Sequence, residues 1–296
     1  MLMLLWLACR PPEPVTLARP NALAVGADGT VYVSDFGHDR LVELDAEGDV
    51  VRRYGGRGLG PGELWRVFAL AVDLDGSLLV SNLRPDDVTG AGNIWEIKRF
   101  SDGREIRTIP FAGHFSSSSD TISSMAVRAD GSLLMANPAG GELFLLGQDG
   151  SYEGAFGGVL QADAAPSAIE WTDPVAWVLE QRHHRILQVG SSGAQVLPLS
   201  YGPPGGLSFP SSLAVCPGEW FAVADLGNHR VQRFGLDGTF LDAFTPERAG
   251  PDQPVQLLAI EVSADCERLY LADSKGDRVL ITTPTGEVLR EVHRVR

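Results

Sequence analysis

Long apolar runs are almost missing from this sequence. Beyond residues 1–7 the apolar stretches are roughly four to six residues long, and a Gly-containing turn breaks the chain about every 8–12 residues. That pattern excludes a helical protein, and the N-terminal run is itself too short to cross a bilayer. Positive charge is also scarce: 24 Lys and Arg stand against 38 Asp and Glu, a formal net charge of −14. A field of that sign repels phosphate backbones, so nucleic acid is not expected as a partner. Cysteine occurs three times, at Cys9, Cys216 and Cys266, which leaves room for one internal disulfide at most. Signatures of catalysis are missing too. The Gly-rich stretch 55–62 lacks a Gly-Lys-Ser/Thr ending and a following helix, so it is a connector and not a phosphate cradle, and no Ser stands in a nucleophile elbow.

What the chain has is repetition. Residues 27–48 (ADGTVYVSDFGHDRLVELDAEG) return as residues 218–238 (GEWFAVADLGNHRVQRFGLDG), with weaker copies elsewhere. The acid or amide that ends the second apolar run of each unit is Asp35, Asn82, Asn137, Glu180, Asp225 or Asp273, at intervals of 47, 55, 43, 45 and 48 residues. Each unit holds four short apolar runs. The first and second are joined by turns such as Asp28-Gly29 and Asp75-Gly76, the third and fourth by turns such as Glu47-Gly48 and Asp237-Gly238. Gly supplies the positive φ of tight hairpins, and Asp tolerates it while bonding its own backbone. A four-stranded meander cannot bury both faces alone, and radial stacking covers them while leaving only short edges. The expected fold is therefore all-β: a six-bladed β-propeller of four-stranded antiparallel blades over residues 20–296, following an N-terminal segment and proline-rich tether over 1–19. The Gly turns belong to one face of the disc. Loops between second and third strands, with the links between blades, belong to the other, here termed the loop face.

The segments DFGHDR (35–40), DLGNHR (225–230), DSKGDR (273–278) and, more loosely, EQRHHR (180–185) resemble NHL repeats, as do the glycine-proline connectors that begin at Tyr54 and Tyr201. The likeness is strong for blades one and five, fair for six and weak for two to four, where Asn82 and Asn137 replace the acid and no Arg follows five residues later. It implies a propeller that binds ligands on its loop face. Some NHL propellers bind RNA through a basic surface, a role this acidic chain suits poorly.

The N-terminus, MLMLLWLACRPPEP, resembles a bacterial lipoprotein signal with lipidation at Cys9, although no basic residue precedes the apolar run and Trp6 stands where Leu is usual. A signal cleaved without lipidation, or an unprocessed apolar tail, is the alternative. Export to the periplasm or cell surface is expected in the first two cases, with any membrane attachment made through Cys9 and the protein monomeric. Cys216 and Cys266 fall near first-to-second-strand turns of adjacent blades, where a disulfide and two free thiols are both open.

Two constellations invite a metal. Asp35, Glu180, Asp225 and Asp273 end equivalent strands, and a ring of carboxylates would suit calcium. However, Arg40, Arg185, Arg230 and Arg278 each follow five residues later on the next strand, so these acids are expected to pair with Arg and fasten their blades. His38, His183, His184 and His229 all lie in second-to-third-strand loops, where imidazoles converging on the axis would hold zinc. Peptide-amidating lyases, related propellers, are similar in using histidines from several blades. A His before Arg is nonetheless common in ordinary NHL repeats, which leaves solvated loop histidines as the plainer expectation. In the gluconolactonase and regucalcin family, calcium ligands stand at the starts of first strands. Those positions are read here as Asn21, Val67, Ser124, Ser167, Ser211 and Leu258, and only Asn21 would serve as a ligand, so lactonase activity is not expected.

Blade two departs from the repeat. Its loop 83–93 (LRPDDVTGAGN) is longer than the others, and the link 111–120 (FAGHFSSSSD) belongs to the same face. Surplus loop length is where recognition is commonly built, which makes Arg84, Asp86, Asp87, His114 and Phe115 candidates for contacts with a ligand; a neutral surface insertion is the alternative. The functional expectation is an exported, non-catalytic binding or scaffold module for a protein, peptide or glycan, with no cofactor. The rival expectation is a Zn- or Ca-dependent lyase or hydrolase with an axial site.

Overall fold

Alternation at period two dictates where each strand sends its side chains. In the computed structural model of the chain, which describes residues 15–86, 92–110, 121–158, 160, 163–202, 205–247 and 254–295, blade one comprises Pro20–Val25, Val31–Asp35, Arg40–Leu44 and Val50–Gly55, paired antiparallel in sequence order. Five more sheets of the same order begin with Val67–Val72, Ser124–Val127, Pro166–Thr172, Ser212–Cys216 and Leu257–Val262. First strands of successive blades touch one another, and that of blade six meets that of blade one, so the six sheets close a ring. The chain is a six-bladed β-propeller. Among the described residues the helical structure is two single 3₁₀ turns, Phe36–His38 and Leu226–Asn228, and no helix is long and apolar enough to cross a membrane.

The core lies between blades and not within them. Six apolar clusters fill the six gaps. On the second strand of blade two, Leu78 and Val80 pack toward blade one while Leu79 packs toward blade three. Each fully buried Leu or Val contributes about 1.5–3 kcal/mol, and because every contribution needs a neighbouring blade, the ring is stable only as a whole. Blade six is joined to blade one by a short strand pair, Val15–Thr16 with Arg294–Val295, and Leu17 is buried in the cluster between those blades.

Turn chemistry follows from close approach as well as dihedral angle. Gly238 has φ +86°, and a Cβ there would stand 2.4 Å from the Pro198 carbonyl oxygen, so the turn of blade five docks only as glycine. Cys216, ending the first strand of blade five, is bonded to Cys266, in the first turn of blade six, with the Cα atoms 5.7 Å apart. That pairing selects one of the two states left open by the sequence.

Candidate functional site

The residues that looked most reactive are those that hold the blades. In four blades the acid and the Arg five residues later face each other across the second and third strands. Arg Nε lies 2.7 Å from Asp35, 3.2 Å from Glu180, 2.7 Å from Asp225 and 2.9 Å from Asp273. The second carboxylate oxygen accepts a backbone N–H from the chain entering the blade: Ala18, Ala165, Ser208 and Gln256 in turn. Each buried acid thus ties its own Arg and its own connector to one point. Burial works against the Glu180 carboxylate, but the Ala165 N–H, His183 and Arg185 outweigh it and hold its pKa below the ordinary glutamate range.

Blades two and three, where the Asp–Arg pair is absent, use a substitute. The Asn82 and Asn137 side-chain oxygens accept the connector N–H groups of Trp65 and Thr121, as the acids do. Opposite them, in the position Arg takes elsewhere, stand Glu96 and Glu142, which accept from the two asparagine Nδ2 groups at 2.9 and 3.4 Å. Glu96 was hidden in the sequence because the second and third strands of blade two, Leu78–Pro85 and Asn93–Ser101, run on past the usual turn. The fixed five-residue offset then lands on Asp87; aligning on the third strand would have found the glutamate.

Arg84 lies on this extended hairpin with Nε 3.0 Å from Glu96, and Asp86 closes the strand with its N–H on the Gly92 carbonyl. Asp87, His114, Phe115 and the lipidation candidate Cys9 lie outside the described residues.

The histidines are engaged by the strand-ending acids of their own blades or by the connectors into the next. His38 Nδ1 is 2.8 Å from Asp35, and His183 Nδ1 is 2.5 Å from Glu180. His184 packs on Phe209, with ring centroids 4.8 Å apart, and His229 Nδ1 meets the Val255 carbonyl at 2.7 Å. His184 and His229 also share a backbone role with Asp39, Asp277 and Gly141: the residue four after the strand-ending acid or amide adopts φ between 50° and 67° in all five blades. Gly and, among the rest, Asn, Asp and His tolerate that left-handed region best. Among the described residues no group of three or more His, Cys, Asp or Glu is placed to hold a metal ion.

Around the axis runs a narrow channel lined by the first strands, with an upper section of about 60 Å³ and a lower one of about 160 Å³. Bulges near the start of the first strands correct the positions read from sequence: the residues equivalent to Asn21, Ser167, Ser211 and Leu258 are Phe68 and Ser123, not Val67 and Ser124. Where blades one, two, three and five have Ala24, Ala71, Ala126 and Ala214, blades four and six have Glu170 and Glu261, which line both sections of the channel. Neither carboxylate has a hydrogen-bond or ion-pair partner among the described residues. Burial pushes the Glu170 carboxyl up to about 8, and burial together with the charge of Glu170 raises Glu261 well above its usual range.

Groups whose pKa is raised on folding stabilise the fold below their unfolded value, and that contribution is lost as pH rises through the folded value. Between about pH 4.5 and 8 the wild type should therefore lose stability relative to the double variant Glu170→Gln/Glu261→Gln. We expect the difference between their urea-unfolding free energies to change by about 1 kcal/mol or more across this window. A constant difference would show that the two carboxyls titrate normally.

A cleft opens on the loop face at the junction of blades one and two. It measures about 250 Å³ and is lined by Arg19, Phe36, Asp39, Arg57, Trp65 and Arg66. Burial raises the Asp39 carboxyl, against the pull of Arg57, Arg66 and Arg19. No sequence motif announced this cleft, because its residues come from three separate segments that meet only when the blades pack.

Taken together, closed ring, clasps and connectors define a repeat-built six-bladed propeller. Residues 207–234, in its fifth blade, match the NHL repeat family. No curated protein matches the chain in sequence. Among solved structures, the chain is similar to a streptogramin B lyase, at 14% identity and a TM-score of 0.61 over 94% of this chain and 84% of that one. A virginiamycin B lyase from Staphylococcus aureus is similar at 15% identity and a TM-score of 0.61, over 94% and 87% of the two chains. The Cps50 (Swd1) β-propeller domain of Myceliophteria thermophila is similar at 14% identity and a TM-score of 0.64, over 91% and 98%. At these identities the likeness carries the fold alone.

Proposed function

We propose that the chain is an exported propeller that serves as a non-catalytic binding or scaffold module for a protein, peptide or glycan on its loop face. The observation that carries this reading is the employment of the clasp residues: Asp35, Glu180, Asp225 and Asp273 spend both carboxylate oxygens on Arg and connector. Groups so committed build a rigid platform and are poor candidates for proton or group transfer. The Cys216–Cys266 bond supports an oxidising compartment, periplasmic or cell-surface. Attachment to a membrane through Cys9, a monomeric state, the absence of a cofactor and the absence of a nucleic-acid partner belong to the same reading. A photo-crosslinking residue placed at Asp86 on the loop face should give a discrete adduct in cells that express the full chain, and one at Asp237 on the opposite face should not. Adducts only from Asp237 would sink the proposal.

One observation favours the rival, a Zn- or Ca-dependent lyase or hydrolase: Glu170 and Glu261 stand unpaired in the axial channel. Metal analysis of protein purified without chelator or affinity histidines separates the two. The binding-module reading expects less than stoichiometric zinc and calcium; one equivalent of either moves the assignment to the enzyme.

A further inference from the structure

The cleft between blades one and two reverses the charge balance of the molecule. Of its charged lining three are cations, Arg19, Arg57 and Arg66, and one an anion, Asp39, in a chain where acids outnumber bases 38 to 24. The guanidiniums of Arg40, Arg185, Arg230 and Arg278, on the same face, are all bound to carboxylates. Those of Arg19 and Arg66 have no hydrogen-bond or ion-pair partner among the described residues, and Arg57 reaches Asp39 only at 3.8 Å. Three guanidiniums around the single Asp39 carboxylate leave a net positive charge in the cleft, which an incoming anion would offset.

Two of the three cations are also held in place. Arg57 lies over the Trp65 ring at 4.3 Å and Arg19 over Phe36 at 5.5 Å. Stacking keeps the planar forks beside the cleft, where they lose little freedom on meeting a carboxylate. The backbone nearby is closed on itself: Gly58 N–H donates to Leu64 O, Leu64 N–H to Gly56 O, and Gly56 N–H to Asp39 O. A peptide therefore finds no open strand edge there to extend. What the cleft offers is a compact volume with aromatic walls and guanidinium forks, which suits the apolar ring face and the carboxylate of a sugar acid.

We propose that this cleft binds a uronic-acid residue of an acidic glycan. The assignment rests on the loop-face binding reading and narrows its ligand to a carboxylated saccharide. Arg57 and Arg66 bind the carboxylate, and Trp65 and Phe36 flank the ring.

The test is calorimetric titration of the full chain with trigalacturonate, with the neutral trigalactoside and with a hexaglutamate peptide. Trigalacturonate should bind, more weakly as salt rises, and the neutral trisaccharide should bind at least about tenfold more weakly. Arg66→Ala and Arg57→Ala should each lower trigalacturonate affinity by about tenfold or more. Arg66→Lys, which keeps the charge and loses the fork, should fall between wild type and Arg66→Ala. Thermal midpoints of the two Arg66 variants should stay at the wild-type value, because the exposed Arg66 side chain holds nothing in place. Equal affinity for charged and neutral trisaccharides overturns the proposal, as does trigalacturonate binding that survives both alanine variants. Binding of hexaglutamate alone reassigns the cleft to acidic protein segments and overturns the glycan claim. Binding of none of the three refutes the cleft while leaving the wider loop-face reading to the crosslinking result.

Discussion

Asp225→Ala should cost the propeller about 3–5 kcal/mol, one of the two largest effects expected of any change described above. Asp225 is fully buried and gathers four donors: the Ser208 N–H at 2.6 Å, Asn228 Nδ2 at 2.8 Å, Arg230 Nε at 2.7 Å and Gln232 Nε2 at 2.9 Å. Removing it orphans the connector into blade five and leaves the buried Arg230 charge uncompensated, and the second of these dominates. Asp225→Asn separates the two. The amide oxygen still accepts the Ser208 N–H, as Asn82 and Asn137 do for their connectors, yet Arg230 remains unpaired, so the loss should approach that of alanine. Adding Arg230→Met to Asp225→Asn removes the stranded charge and should recover a large part of the stability. Urea midpoints measured at constant slope decide the matter. A loss for Asp225→Asn much smaller than for Asp225→Ala, with nothing gained from Arg230→Met, would mean that the ion pair is incidental and the connector bond is what counts.

The contrast between blades shows how much of this was legible beforehand. Hairpin turns, repeat pitch and strand number are local, and local chemistry is written in short stretches such as Asp28-Gly29 and VYVSD. The Asp–Arg clasp was legible for the same reason: five residues separate Asp35 from Arg40 across a tight loop. Its Asn–Glu substitute in blade two was not, because the hairpin there is longer and Glu96 faces Asn82 only in register. Had the glutamate been recognised, blade two would have looked like a blade with a different clasp and not like a blade lacking one.

The channel pair and the cleft failed to show for a deeper reason. Ala-Ile-Glu occurs in the first strands of both blade four and blade six, where other blades have Ala at the glutamate position, and this was a visible signal. That Glu170 and Glu261 line one channel depends on the closure of the ring. The cleft likewise draws Arg19 from ahead of blade one, Phe36 from its 3₁₀ turn and Arg57 and Arg66 from the following connector. Repetition reports what all blades share; single sites arise between blades, where copies differ and nothing in the period marks them.

Reducing the Cys216–Cys266 bond should cost about 4 kcal/mol by the entropy of opening a loop that spans 50 residues. The bond ties the first strand of blade five to the first turn of blade six, the blade whose far side meets blade one through the short pair Val15–Thr16 with Arg294–Val295. A propeller opens most readily where its ends meet, and blade six is held to blade one without a covalent link, by side-chain packing, that two-residue strand pair and polar contacts of Tyr270 with the Ala46 carbonyl, Arg268 with Glu47 and Arg290 with Asp49. With the disulfide in place, an opened blade six stays attached to blade five and recloses. Without it, blade six becomes the unit of lowest stability. Cys216→Ala/Cys266→Ala is the cleaner variant, because Cys216 is buried among Ala214, Ala222 and Leu269, where a serine hydroxyl would add its own desolvation penalty. Hydrogen exchange should then quicken first in Leu269–Asp273 and Arg278–Thr282 of blade six, while Leu78–Pro85 of blade two keeps its protection. If instead exchange rose evenly around the ring with the urea midpoint lowered, the bond would be acting on the unfolded chain alone. If neither changed, it would contribute nothing to stability.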